Sequence, residues 1–166
     1  MTKTILLVED DENDAFFLAK ALQKLNIENP LRVASDGEQA IQYFRGTERF
    51  ANRTEFPLPH LVLLDLKLPR LRGLDVLKWI RQTADRQVIV IVLSSSKNQA
   101  DIAEAYELGA NAYLAKPGSF DQLVETIRAV NDFWLNHNLS LEEVVGKNSD
   151  STTSVRSDRL QSVRCN

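Results

Sequence analysis

The run Leu61-Val62-Leu63-Leu64, closed by Asp65 and followed by turn signals at Pro69 and Gly73, constrains this chain more than any other stretch. Four consecutive apolar residues, with no polar alternation and too few for a helix, read as a strand buried on both faces. Such a strand needs helices above and below it, which implies a parallel sheet inside an α/β domain. Asp65 then stands at the strand's C-terminal end, the edge where open α/β sheets gather ligands and reacting groups. A carboxylate is costly to bury, so an acid on so apolar a strand needs either water or a cation. Taken alone, Asp65 reads equally well as an ordinary solvated strand-end aspartate.

The rest of the chain repeats the pattern. Ile5-Leu6-Leu7-Val8 runs into four acids, Glu9-Asp10-Asp11-Glu12, and helical spacing begins at Asn13 with Ala15, Leu18, Ala19, Leu22 and Leu25 on one face. Asp11, Glu12 and Asp14 suit the first turn of that helix as capping and solvated acids, whereas Glu9 and Asp10 belong to the strand end. Leu31 to Ala34 forms a weak second strand, and Ser35-Asp36-Gly37-Glu38 offers a capping box for a helix that stops at Gly46. Residues 47–59 have no clear period; the loop holds Phe50 and Phe56, which implies that it packs onto the domain. A third helix is predicted over residues 73–80 and a strongly β-type strand over 88–93, ending in Ser94-Ser95-Ser96. Ser96 with Gln99 can cap a fourth helix that ends at Gly109. A fifth strand over 111–115 leads directly to Lys116-Pro117, and Ser119 opens a fifth helix carrying Phe120, Leu123, Val124, Ile127, Val130 and Trp134. Five strands alternating with five helices predict a doubly wound parallel sheet with right-handed crossovers and helices on both faces.

Composition narrows the function. With 43% hydrophobic and 26% charged residues among 166, the chain suits one soluble globular domain. A net charge of -3 and a pI near 5.4, with basic residues scattered, argue against nucleic-acid binding. The apolar runs are too short to span a membrane, and the lone Cys165 fits a reducing compartment, so a cytoplasmic location is expected. The domain is expected over residues 1–146, with a short turn at 139–145 and a polar, disordered tail over 147–166.

The strands deliver Glu9 and Asp10, Asp65, Ser94 and, just past the fifth, Lys116 to one edge. Clustered carboxylates repel one another unless a cation intervenes, and oxygen ligands without nearby His or Cys favour Mg2+. Magnesium held by one or two carboxylates leaves positions for phosphoryl oxygens, and an aspartate can itself accept a phosphoryl group. The place two residues beyond Asp65, where an aspartate-nucleophile phosphohydrolase would carry a second acid, holds Lys67. No glycine-rich phosphate loop follows the first strand, which weighs against a flavodoxin-like cofactor binder.

Val8-Glu9-Asp10, Leu64-Asp65-Leu66-Lys67-Leu68-Pro69 with Gly73, Leu93-Ser94-Ser95 and Tyr113-Leu114-Ala115-Lys116-Pro117 together resemble the motif set of the receiver domain of two-component response regulators. The resemblance spans about residues 3–136 and implies the flavodoxin-like strand order 2-1-3-4-5. It also implies Asp65 as phosphoacceptor, Glu9, Asp10, Asp65 and the Lys67 main-chain carbonyl around Mg2+, Lys116 as ion-pair partner, and Ser94 and Tyr113 as switch residues. Residues 47–59, Tyr106-Glu107-Leu108 and Asp132-Phe133-Trp134-Leu135 are similar to the small regulators that pair with cyanobacterial phytochromes. The implied function is acceptance of a phosphoryl group from a sensor histidine kinase, with a phytochrome as candidate partner, followed by a conformational or dimerisation change. Such a protein signals and turns over no metabolite. Phe133 and Trp134 are sequence neighbours and cannot both face the core, which predicts an exposed aromatic that serves either a homodimer through the fourth helix, fifth strand and fifth helix or, equally, contact with the C-terminal tail. The competing reading is a receiver-like module that binds partners without phosphorylation.

Overall fold

The computed structural model describes residues 3–83 and 87–138; the tail expected over 147–166 and the turn at 139–145 lie outside them. Five strands, β1 (Ile5–Val8), β2 (Leu31–Ala34), β3 (Leu61–Leu64), β4 (Ile89–Ser94) and β5 (Ala112–Ala115), form one sheet in the order β2-β1-β3-β4-β5. Every pairing is parallel. The helices are α1 (Glu12–Lys24), α2 (Gly37–Arg45), α3 (Gly73–Thr83), α4 (Gln99–Glu107) and α5 (Phe120–Val130). The expected doubly wound α/β fold is therefore present. Among the described residues no helix is long and apolar enough to cross a membrane.

The two-residue strand period sorts the core into two layers. Leu6, Val8, Val62, Leu64, Val90 and Val92 pack with residues of α2, α3 and α4. Ile5, Leu7, Leu61, Leu63, Ile91 and Leu93 pack with α1 and α5. The ladder runs one step beyond the strands, because the Glu9 amide donates to the Ala34 carbonyl and the Asp65 amide to Val8, each at 3.0 Å. Both acids are thus fixed by backbone before their side chains make any contact.

Several local expectations are corrected. Asp36 rather than Ser35 caps α2: its extended backbone lets the carboxylate accept from the Gln39 amide at 2.8 Å. Asn98 rather than Ser96 caps α4, since Asn98 immediately precedes the helix and accepts from Ala100, while the Ser96 hydroxyl pairs with Asp101. On α1 the buried face holds Leu18, Ala21 and Leu22, leaving Ala19 exposed. Asn111 lies outside β5 and contributes its side chain instead, accepting from the Val90 amide and from Arg81, each at 2.8 Å.

The segment over 47–59 packs as expected. A 3-10 turn, Glu48–Phe50, buries Phe50 against Tyr43 and Phe56. Arg53 caps the end of α2 by donating to the Tyr43 and Phe44 carbonyls at 2.7 and 2.6 Å. Beyond α5 the chain continues as a π-helical stretch, Asn131–His137, in which Phe133 is 59% exposed and Trp134 half-buried. The expectation of one outward aromatic is met.

The loop between β3 and α3 is fastened to α2. A Cβ on Gly37 would meet the Leu71 carbonyl oxygen at 2.6 Å, so only glycine permits that approach. Arg70 sits at φ 65 and its guanidinium donates to Asp36 at 2.6 Å, with side-chain exposures of 62% and 2%. Arg70→Ala leaves a buried carboxylate short of its cation. Discounted for the exposure of Arg70, the expected loss is about 1–2 kcal/mol in urea unfolding, and an unchanged midpoint would show that water replaces the guanidinium without cost.

Candidate functional site

The site lies at the C-terminal edge of the sheet, where β1, β3 and the end of β5 converge. Glu9 and Asp65 are only 4% and 5% exposed, whereas Asp10 faces solvent. One carboxylate oxygen from each of Glu9, Asp10 and Asp65 lies within 4.8 Å of the other two. Three carboxylates at that spacing, with neither His nor Cys among them, suit a hard divalent cation such as Mg2+. The structure therefore brings together the three acids expected from the sequence. Lys67 is positioned through its backbone: its amide donates to Asp65 Oδ1 at 3.2 Å.

Lys116 is the local cation. Its Nζ donates to Glu9 Oε2 at 2.7 Å, to Asp65 Oδ2 at 2.8 Å and to Asp14 Oδ2 at 2.8 Å. Its own amide donates to the Ser94 carbonyl at 2.9 Å, which anchors the residue to β4. The Asp14 contact is not legible in the sequence, where Asp11, Glu12 and Asp14 all read as capping and solvated acids. Asp11 does cap α1, accepting from the Asn13 and Asp14 amides. Asp14 instead turns its carboxylate to a lysine 102 positions away. No local signal separates it from Asp11 and Glu12, because only the tertiary fold brings its partner within reach.

Electrostatics follow burial and pairing. Burial pushes the Glu9 carboxyl up from its ordinary value, and the bonds from Lys116 and the Asp11 amide offset only part of that. Burial alone would lower Lys116, but the bonds to Asp14, Asp65 and Glu9 prevail and hold it above its ordinary 10.5. A lysine raised on folding stabilises the protein in full below its unfolded value, and that contribution fades as pH climbs through the folded value. The stability difference between the native chain and Lys116→Met is accordingly expected to stay constant at neutral pH and to narrow only above pH 10.5. Denaturant titrations across that range check it; narrowing at neutral pH would contradict the pairing.

Ser94 and Tyr113 belong to the opposite side of the sheet edge. Ser94 is fully buried at the end of β4, and its Oγ accepts from the Ser96 amide at 3.3 Å. Tyr113 packs against the core layer of α2, α3 and α4, and its hydroxyl donates to the Ser96 carbonyl at 2.9 Å. The two expected switch residues are thus joined through the backbone of Ser96. Among the described residues, no buried side-chain polar atom lacks a hydrogen-bond partner.

A five-stranded parallel receiver sheet with three acids and a lysine at one edge defines a class of protein, and the family comparison agrees: residues 5–128 match the response regulator receiver domain, and the chain belongs to that family. Its relatives include the response regulator Rcp1 of Synechocystis sp., 35% identical over 134 residues, covering 80% of this chain and 89% of Rcp1. Among solved structures, the phosphorylated cyanobacterial phytochrome response regulator RcpA superposes with a TM-score of 0.78 at 32% identity, over 85% of this chain and 99% of RcpA. The Mn(2+)-bound form of Rcp1 superposes with a TM-score of 0.75 at 34% identity, over 83% of this chain and 98% of Rcp1.

Proposed function

We propose that this receiver accepts a phosphoryl group on Asp65 from a sensor histidine kinase, with Mg2+ held by Glu9, Asp10, Asp65 and the Lys67 main-chain carbonyl. The observation that carries the reading is a buried carboxylate held by the Lys67 amide and the Lys116 ammonium beside two further acids. A carboxylate oxygen attacks the phosphorus of a phosphohistidine. The new O–P bond forms as the P–N bond breaks, and the imidazole nitrogen leaves with the electron pair. When bound, the cation offsets the repulsion between the acids and the incoming phosphoryl oxygens. Lys116 supplies a fixed positive charge at the same edge.

The product carries close to two negative charges and new acceptor oxygens. Drawing the Ser94 hydroxyl toward them takes it from the Ser96 amide, and Ser96 also holds the Tyr113 hydroxyl. The loop between β4 and α4 is therefore the element through which phosphorylation reaches the surface of α4, β5 and α5. That surface presents Tyr106, exposed on α4, with its hydroxyl accepting from the Tyr113 amide on the β5 edge. A homodimer through it is the proposed output. The likeness to Rcp1 and RcpA supports a phytochrome as kinase partner, and the proposed setting is the cytoplasm. The role is signalling, with no metabolite turned over.

The test is intact-protein mass before and after incubation with acetyl phosphate and Mg2+, with gel filtration alongside. One phosphoryl adduct, accompanied by earlier elution, is expected. A folded chain that gains no adduct from acetyl phosphate or from a cognate kinase overturns phosphotransfer and favours a module that binds partners unmodified.

A further inference from the structure

The proposed cation and Lys116 compete for the same two carboxylates. Glu9 and Asp65 belong to the three-acid cluster, yet each also accepts from Lys116 Nζ at under 3 Å. A divalent ion bound there neutralises both acids and repels the ammonium, so Lys116 must lose most of its hold on them. Asp14 is the third carboxylate on that ammonium, at 2.8 Å, and it lies outside the three-acid cluster. It is fixed in the first turn of α1 by the Asp11 cap, which accepts from its amide, and its side chain is 46% exposed.

We propose that Asp14 is a positioning residue that takes the Lys116 ammonium when a divalent cation occupies Glu9, Asp10 and Asp65, so that Lys116 stays at the edge of the site instead of blocking it. This inference rests on the reading of those three acids as a cation site. Without Asp14, Lys116 has only Glu9 and Asp65 to pair with, and a cation must displace it with nothing to receive it. Asp14 therefore favours cation entry through the lysine rather than by ligating the ion.

Calorimetric titration of the full chain with Mg2+ tests this, using the native protein, Asp14→Asn, Asp14→Glu, Lys116→Met and the double substitution Asp14→Asn with Lys116→Met. Loss of a partly exposed ion pair is expected to raise the dissociation constant of Asp14→Asn about five-fold, with Asp14→Glu restoring it. In the Lys116→Met background the same substitution is expected to change affinity by less than about two-fold, because the distant exposed carboxylate is then screened by water. An unchanged constant in Asp14→Asn overturns the inference, and so does an equal rise in the Lys116→Met background, which would make Asp14 a simple distant charge. Circular dichroism confirms that each variant is folded. Absence of Mg2+ binding by the native chain would overturn the cation site itself, and this inference with it.

Discussion

Asp65→Asn is expected to abolish the phosphoryl adduct outright while leaving a chain at least as stable as the native one. The first part follows from chemistry: an amide oxygen is a far weaker nucleophile than a carboxylate and forms no acyl phosphate. The second follows from charge. Glu9, Asp14 and Asp65 share one ammonium, and Asp10 adjoins Glu9 and Asp65, so the edge carries an excess of negative charge when no cation is bound. Neutralising one of the buried acids relieves repulsion among the others. Asparagine keeps an oxygen for the Lys67 amide, which now meets Asp65 Oδ1 at 3.2 Å, and Lys116 retains Glu9 and Asp14. Intact mass after acetyl phosphate treatment reads the first effect and the urea midpoint reads the second. An adduct of native yield on the variant would put the acceptor elsewhere. A stability loss beyond about 1 kcal/mol would show that the Lys116–Asp65 pair outweighs the repulsion.

Gly73→Ala is expected to cost about 3 kcal/mol or more, the largest stability effect among these variants. A Cβ at position 73 would overlap the Asp65 carbonyl oxygen and meet the Leu66 Cα at 2.7 Å. Both obstacles are backbone, so no rotamer change relieves them, and the Gly73 amide already donates to the Leu66 carbonyl at 3.1 Å. Either α3 withdraws from the end of β3 or the loop between β3 and α3 shifts. Gly118→Ala is the control, because its Cβ would find only the Gln122 Oε1, at 3.8 Å, and little change is expected. Urea unfolding of the two variants separates the outcomes; a loss under about 1 kcal/mol in Gly73→Ala would mean that the loop yields easily. The same close approach explains Gly73: it lets α3 start against the Asp65 carbonyl.

Glu9, Asp10, Asp65 and Ser94 are legible because they follow short apolar runs that form strands buried on both faces, which leaves little choice about where the chain emerges, and Lys116 because it directly follows the fifth strand. Residue type then added the chemistry, since oxygen donors without His or Cys indicate a hard cation. Asp14 and the Arg70–Asp36 pair were not legible. Nothing local distinguishes an acid in a helix's first turn that faces solvent from one that reaches a lysine 102 residues on. Likewise, Asp36 reads as part of a capping box, and only the approach of Gly37 to Leu71 brings Arg70 onto it. The helix caps at Asp36 and Asn98 were missed by one and two positions, because Ser, Asp and Asn all satisfy the same amides and their order alone does not select among them.

By itself, the sequence determined the alternation of strand and helix, the parallel sheet it requires, and the charged groups at its C-terminal edge. Those properties depend on periodicity and on residues adjacent in the chain, so they survive without knowledge of distant contacts. Tertiary structure alone decided how the charges are shared: one ammonium among three carboxylates, and Ser94 and Tyr113 joined through Ser96. Such pairings depend on the relative placement of α1, β4 and β5. That placement is set by two packed core layers rather than by any local signal, and Coulomb and hydrogen-bond energies fall off too steeply with distance to be read before it is known.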